Sequence, residues 1–272
     1  MKAITRFMFL LLLATNAQAQ TDCAPRNTSF IPGEELTYEI YYNWGAIWMA
    51  AGQAVFSVQQ ENYKGKQAYH FKGAGTSYPK YDWFFKVRDR FESWSDTNDL
   101  RPMRFIRDSH EGPTDIYNDC VFDHKKKMVF TGSRAKDNTI KLDSVKIPNC
   151  TLDVLTAIYY SRCIDFSKYK PNDTIPITFV LDNQVYPVYI RYIGKAVYKS
   201  DKSKDSFNCI KFKPLLIEGT IFKGGENMTV WVTDDKNKLP LFVETKIVVG
   251  SIKVYLSGYK GLRNAMSARV AQ

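Results

Sequence analysis

The chain has 272 residues, 44% of them hydrophobic and 24% charged, and 38 basic against 28 acidic side chains give a formal net charge of +10. That length suits one large all-β domain or two small lobes sharing a core. The basic surplus is dispersed, which together with an export leader at residues 1–19 argues against nucleic acid as a partner, and no segment is long and apolar enough to span a bilayer.

Lys2 and Arg6, an apolar run from Phe7 to Ala14, and Ala17-Gln18-Ala19 form the charged, apolar and small-residue parts of a signal peptide, with cleavage expected after Ala19. The run is too short for a retained anchor, and Cys23 follows Asp22 rather than a small residue, against lipoprotein processing. The mature protein is therefore expected to be soluble and periplasmic or secreted, not an integral membrane protein. Residues 20–30 read as an N-terminal extension and 31–258 as one β-rich domain, divisible into lobes at 31–147 and 163–258. Residues 259–272 read as a frayed tail.

Alternation at period two dominates the chain beyond the extension, the mark of strands with one buried face. Leu36, Tyr38, Ile40 and Tyr42 share one face of the first strand; Glu35, Thr37 and Glu39 share the other. Trp44 to Gly52 is a nearly uncharged stretch, including Trp48, that either tucks into a barrel mouth or presents an apolar patch. Ala54, Phe56 and Val58 lead through Asn62–Gly65 to Tyr69 and Phe71, a hairpin. Next comes the densest cluster of large and charged residues, with Tyr81, Trp83 and Phe84 ahead of Arg88, Asp89 and Arg90. As a strand it turns Val87, Asp89 and Phe91 to one side and Arg88, Arg90, Glu92 and Trp94 to the other. It is either a salt-bridged sheet face or a polar contact in a cavity, where Asp89 between two arginines orients a ligand's head group.

Further strands are expected near 86–94, 102–108, 114–123, 127–131, 139–147, 174–181, 184–192, 207–213, 228–233, 240–249 and 251–258. Lys125-Lys126-Lys127 reads as a solvated hairpin tip, with contact to anionic glycans or lipid headgroups as the alternative. After Pro148, Thr151 is placed to cap a helix over 152–162, in which Leu155, Ile158, Tyr159 and Arg162 recur at helical spacing. Asp182-Asn183 marks a tight reversal, and Pro176 and Pro187 argue for edge or interrupted strands. Gly250-Ser251 fits a two-residue type II′ hairpin loop. The fold expected is mainly β: an antiparallel curved sheet forming an open or partial barrel, or a β-sandwich of two lobes, with one short helix.

Little in the sequence points to catalysis. His70, His110 and His124 lack the spacing that puts two zinc ligands on one helical face, and no nucleophile elbow, phosphate loop or calcium loop occurs. Cys120 lies near His110 and His124 in sequence but reads as an inward-facing small apolar residue. No catalytic residue, metal or cofactor is assigned; an enzyme would need Asp89, Asp123 or Asp235 to converge in a cleft, as glycosidases require. Cys23, Cys120, Cys150, Cys163 and Cys209 enter an oxidising compartment in odd number, and sequence does not choose their pairing. A full helix between them would hold Cys150 and Cys163 too far apart to bridge.

Gly33-Glu34-Glu35-Leu36-Thr37-Tyr38, Trp44-Gly45, Ala51-Gly52, Val87 to Ser93, Leu100-Arg101-Pro102 and Phe122-Asp123 recur in an order that resembles the uncharacterised exported bacterial family DUF3108. Asp153-Val154-Leu155, Val230 to Asp235 and Leu239-Pro240-Leu241 extend the resemblance over roughly residues 31 to 258. It implies a Gram-negative envelope protein, similar to members from the Bacteroides group, and implies no catalytic residues. Asp143-Ser144-Val145 and Asp173-Thr174-Ile175 resemble O-glycosylation acceptors, at Ser144 and Thr174. The function expected is non-enzymatic binding of a lipid-like or other hydrophobic envelope molecule, as in half-barrel carriers of similar outline. Trp44, Trp48, Tyr81, Trp83, Phe84, Arg88, Asp89, Arg90 and Trp231 are the candidate contacts. The alternative is an interaction or assembly protein that docks a protein partner or glycan through exposed aromatics.

Overall fold

A computed structural model of the chain describes residues 26–44, 47–135, 137–218, 224–247 and 250–270. The first half lays down β1 (Glu35–Trp44), β2 (Ile47–Tyr63), β3 (Lys66–Ser77), a short helix α1 (Asp82–Phe85), β4 (Val87–Asp96), β5 (Pro102–Glu111), β6 (Thr114–Asp123), β7 (Met128–Arg134) and β8 (Ile140–Lys146). After β9 (Thr151–Leu152) and α2 (Val154–Cys163) come β10 (Thr174–Leu181), β11 (Gln184–Lys199), β12 (Ser206–Pro214), β13 (Met228–Thr233), β14 (Pro240–Lys246) and β15 (Ser251–Lys260).

All fifteen strands belong to one sheet, ordered β8-β7-β6-β5-β4-β3-β2-β1-β15-β14-β13-β12-β11-β10-β9. Every neighbouring pair is antiparallel except the two-residue β9–β10 contact. The chain thus builds outward from β1, crosses through α2, and returns strand by strand to lay β15 against β1. The continuity of that sheet replaces the expected alternative of a two-lobe sandwich.

Local chemistry sets the tight reversals. Tyr63 pairs with Lys66 and Leu181 with Gln184, so each loop has two residues, and both residues of each loop (Lys64-Gly65, Asp182-Asn183) have positive φ. That is the type I′ hairpin, whose twist matches the strands. Pro187 lies before Ile190, where pairing with β12 begins, and β10 has only the two-residue β9 on its far side. Missing N–H donors are tolerated at such edges. The expected Gly250-Ser251 loop does not form: Ser251 pairs with Lys246 and Ile252 with Thr245, so Gly250 ends a longer loop, two of whose residues lie outside the described set.

The helix starts two residues later than expected. Asp153, not Thr151, is the cap: its carboxylate accepts from the Thr156 N–H at 2.8 Å, while the Thr151 hydroxyl turns to the Pro148 carbonyl and its backbone joins β9. Carboxylate capping suits the positive end of a helix. Asp153 is fully buried, and burial pushes its carboxyl pKa up against hydrogen bonds from Ser93 and Thr156. Ser93, on the inner face of β4, donates to Asp153 at 2.6 Å and so fastens α2 inside the curve of the sheet.

There the helix fills the interior. Leu155 and Tyr159 pack with Phe30, Val58, Phe71, Phe105 and Val129 in one cluster, the Phe71 and Tyr159 rings stacked 4.0 Å apart. A second cluster of Leu152, Ile164, Ile177, Tyr192, Phe212 and Val232 lies on the β10–β13 side. Burial of each such side chain contributes about 1.5–3 kcal/mol.

The C-terminal end of α2 carries Arg162, 1% exposed, in a two-pronged ion pair with Glu34, also 1% exposed, at 2.5 and 2.8 Å. Its remaining donors reach the carbonyls of Asn237 and Ser29, and the Ser29 hydroxyl returns a bond to the Arg162 carbonyl at 2.6 Å. Asn237 bonds Asn264 and Ala265, while Arg263 bonds the carbonyls of Asn27 and Phe30. Two expectations change as a result. The described part of the N-terminal extension belongs to the core, with Ser29 and Phe30 fully buried. The described part of the tail, to Val270, is not frayed, since Ala268 is buried and Val270 donates to the Ser206 carbonyl at 2.8 Å.

Removing one partner of a buried ion pair leaves the other charge without compensation, at a cost of about 3–5 kcal/mol, whereas replacing both by apolar residues is often near neutral. Glu34→Gln is therefore expected to lower the unfolding free energy measured in urea by that amount, and Glu34→Met with Arg162→Leu to recover most of it.

Candidate functional site

Between β3 and β4 the chain leaves the sheet through a 3-10 turn, Pro79–Tyr81, and α1. Asp82 anchors this excursion: it accepts from the Ser77 hydroxyl at 2.6 Å and from Arg88 at 2.5 and 3.2 Å. Those bonds hold the Asp82 carboxyl below its usual range. Arg88 also donates to the Ser77 and Val87 carbonyls, so it braces the base of the excursion. Phe85 covers Gly112, whose φ is +60°; a Cβ there would sit 2.5 Å from the Phe85 ring. Trp83 and Phe84 point away from this base, 84% and 56% exposed. Tyr81 is partly buried, with the Lys80 ammonium 4.8 Å from its ring centre.

The β1–β2 hairpin projects past the same end of the sheet, because Gly52 already pairs with the last residue of β3. It carries Ile47 (65% exposed) and Trp48 (40%), with the Lys253 ammonium 4.6 Å from the Trp48 ring. The side chain of Trp44 lies outside the described residues. Trp48, Trp83 and Phe84 therefore share one end of the strands, whereas Trp231 does not join them. It sits on β13, six strands from β4 in sheet order and roughly 30 Å away along the sheet. There it packs near Tyr198 and under Lys211.

The expected division of β4 into two faces holds. Arg90 bonds Glu92 through Nε at 2.8 Å, Glu92 bonds His70 Nε2, and His70 Nδ1 bonds Glu61, both at 2.8 Å, with the imidazole stacked on Trp94. Burial raises the Glu92 carboxyl, but bonds from Arg90 and His70 outweigh it and hold the pKa low. Asp89 faces inward, so Arg88 and Arg90 cannot flank it, and the reading of Asp89 as a head-group ligand held between them falls. Its cation is Arg107, which alternation along β5 puts on the same inner face as Phe105, Ser109 and Glu111.

Arg107 lies 3.6 Å from Glu111 and 3.6 Å from Asp182 at the tip of the β10–β11 hairpin. Asn118 pairs opposite Arg107 and bonds Ser133. The Oδ1 atoms of Asp89, Asn118 and Asn183 are buried without a hydrogen-bond partner among the described residues. Burial raises the Asp89 pKa against the Ser109 hydrogen bond and the Arg107 charge. Sequence reading passed over this polar inner wall because Arg107 and Glu111 look like surface residues, although their parity with Phe105 already turned them inward.

The carboxylates named for an enzyme stay apart in role: Asp123 closes the turn to Lys126, Asp235 that around Asn237, and Asp89 faces the inner wall. No group of three His, Cys, Asp or Glu able to hold a metal ion occurs among the described residues. Cys120, Cys163 and Cys209 are buried free thiols, and burial pushes Cys120 and Cys163 up to about 11 and Cys209 to about 12. Such thiols are inert. Cys150 is disulfide-bonded to none of these three, and Cys23 lies outside the described residues.

One open, curved antiparallel sheet wrapped around a helix defines the class, a β-barrel-like protein. The chain belongs to the family described as "Protein of unknown function (DUF3108)", whose profile matches residues 37–257. Its fold is similar to that of a crystal structure of a β-barrel-like protein of domain of unknown function DUF1849 from Brucella abortus. The TM-score is 0.57 at 11% identity, covering 86% of this chain and 98% of that one. No curated protein matches the chain. No helix among the described residues is long and apolar enough to cross a membrane.

Because the folded pKa of Asp89 lies above its unfolded value, the folded state binds more protons between the two, and stability falls as pH rises through that interval. Asp89→Asn is expected to melt at a higher temperature than the parent at pH 7 and to converge with it below about pH 4. Thermal scans across pH check the sign.

Proposed function

We propose that the protein is a non-enzymatic binding protein of the exported Gram-negative envelope, and that it engages a lipid-like or other hydrophobic molecule through its aromatic rim rather than in a hollow. The leader-like residues 1–19 and the resemblance to exported Bacteroides-type proteins support export; Ser144 and Thr174, both exposed, suit glycosylation there. What carries the reading is the exposure of Trp83 and Phe84 on a braced four-residue helix. Arg88, Asp82 and Ser77 hold that helix in place, so the aromatics project from a fixed base. Indole and phenyl rings bordered by Lys80 and Lys86 suit the boundary between apolar chains and anionic headgroups. The interior argues against a deep pocket, because α2 and its cluster of rings already occupy it.

Native mass spectrometry of protein isolated from its own envelope is expected to show a co-purifying lipid. Trp83→Ala with Phe84→Ala is expected to weaken binding to vesicles of phosphatidylethanolamine and phosphatidylglycerol by about tenfold or more. The melting temperature should not move, as is usual at exposed sites. Equal vesicle binding by parent and variant would remove the reading. A single crosslinked protein partner lost on Trp48→Ala would instead favour docking of a protein through the same residues.

A further inference from the structure

At the opposite end of the same strands, turns cluster around a cleft of about 190 Å³ lined by Lys66, Asp96, Arg101, Met103, His124 and Lys125. A smaller recess of about 20 Å³ shares Arg101 and His124 and adds Lys127 and Asn149. We infer that this cleft binds a phosphate-class dianion, and specifically a soluble phosphomonoester.

Positive charge surrounds the cleft. Of the lysine triplet, Lys126 pairs with Asp123 at 3.5 Å, but Lys125 and Lys127, like Lys66, have no ion-pair partner among the described residues. Arg101 gives Nε to Asp99 at 2.6 Å, which leaves its two terminal nitrogens free of hydrogen bonds within the described residues and able to donate in parallel. Asp96, whose Oδ1 accepts from the backbone and side chain of Asn98 in the turn, is the one carboxylate of the lining and forms no ion pair with these cations among the described residues. Lys66, Arg101, Lys125 and Lys127 outnumber Asp96 and the Asp99 that pairs with Arg101, and a concavity with such a positive surplus raises the local concentration of anions.

The shape narrows the ligand. The terminal nitrogens of a guanidinium match two oxygens of a tetrahedral oxyanion, and ammonium groups on either side match its second charge; a carboxylate would leave that charge unmet. His124 Nε2–H donates to the Pro102 carbonyl at 2.6 Å, which fixes the imidazole in the wall of the cleft. A volume of about 190 Å³ exceeds that of the bare ion, and Met103 supplies an apolar side for an attached organic group. β3 runs the length of the sheet from Lys66 to Ser77, which places the cleft about 35 Å from the aromatic rim. A bilayer held at the rim cannot place a headgroup in the cleft, and this favours a soluble ester. The choice of a soluble ester thus rests on the rim reading, whereas the anion site itself does not and stands or fails alone.

The test is calorimetric titration of the purified protein with inorganic phosphate and with glycerol 3-phosphate at about 0.15 M salt. Saturable binding is expected, stronger for the ester. Lys66→Gln with Lys125→Gln should weaken it roughly tenfold or more, whereas Lys199→Gln with Lys236→Gln, at the end of β11 and in the β13–β14 loop, should leave it unchanged; both variants remove exposed charges and should keep the parent circular dichroism. No saturable heat with either probe, or equal weakening in the two variants, would overturn the site. Binding of phosphatidylglycerol vesicles but of neither soluble probe, lost with Lys66 and Lys125, would overturn the soluble-ester assignment in favour of a lipid headgroup.

Discussion

A buried guanidinium holds this molecule to one arrangement. Arg162 sits at the end of the longest helix among the described residues, out of water, and its donors are met by Glu34 and by carbonyls from residues far away in sequence. Such a charge is tolerated only where its partners are fixed, so the N-terminal segment, the β13–β14 loop and the C-terminal tail are drawn to the same point. Glu34 directly precedes β1 and Gly261 directly follows β15, the strands that join the two halves of the sheet. The network therefore sits where the sheet's two halves meet, and it sets the position of α2 at its C-terminal end as Asp153 does at its N-terminal end.

That placement has a consequence for binding. An α-helix with side chains is about 10–12 Å across, and inside a strongly curved sheet it leaves little hollow. Phe30, Phe71 and Tyr159 form a continuous ring cluster around it. Chemistry directed outward must then be found at the ends of the strands, where turns are released from the pairing rules. One end carries exposed aromatics on a braced helix, the other a cluster of cations in which Lys66, Lys125 and Lys127 have no ion-pair partner among the described residues. The polar inner wall around Arg107 lies between core and rim, where the helix no longer reaches.

Much of this was legible in the sequence because period-two burial is a local signal. Leu36 and Tyr38, or Val87, Asp89 and Phe91, declare a shared face without reference to any other part of the chain. The signal fails wherever register shifts, as between Trp94 and Ser95 or Tyr192 and Gly194, since a bulge changes which residues share a face. It also says nothing of partners distant in sequence. Arg162 was recognisable as one position of a helical stripe, but its pairing with Glu34 depends on the whole topology, and so does the distance of Trp231 from the other tryptophans. Gly250 misled for a related reason: a glycine before an apolar strand fits several loops, and pairing between β14 and β15 chooses among them.

The sheet remains open, with β8 and β9 as its two edges, and an open edge presents unpaired backbone groups to any passing strand. The two edges are handled differently. β9 has only two residues, too few to template another chain. β8 has seven and exposes Leu142 (84%) beside Ile140, which would invite pairing if nothing opposed it. Lys141 and Asp143 alternate with those apolar residues and Lys146 shares their face, so a second copy aligned on this edge would have to take charged side chains out of water. The short connection from Ile147 to Leu152, buried at both ends, runs from one edge to the other. Where it starts, the Ile147 N–H donates to the Lys127 carbonyl at 2.9 Å, which ties the end of β8 to the residue just before β7 and opposes its peeling outward.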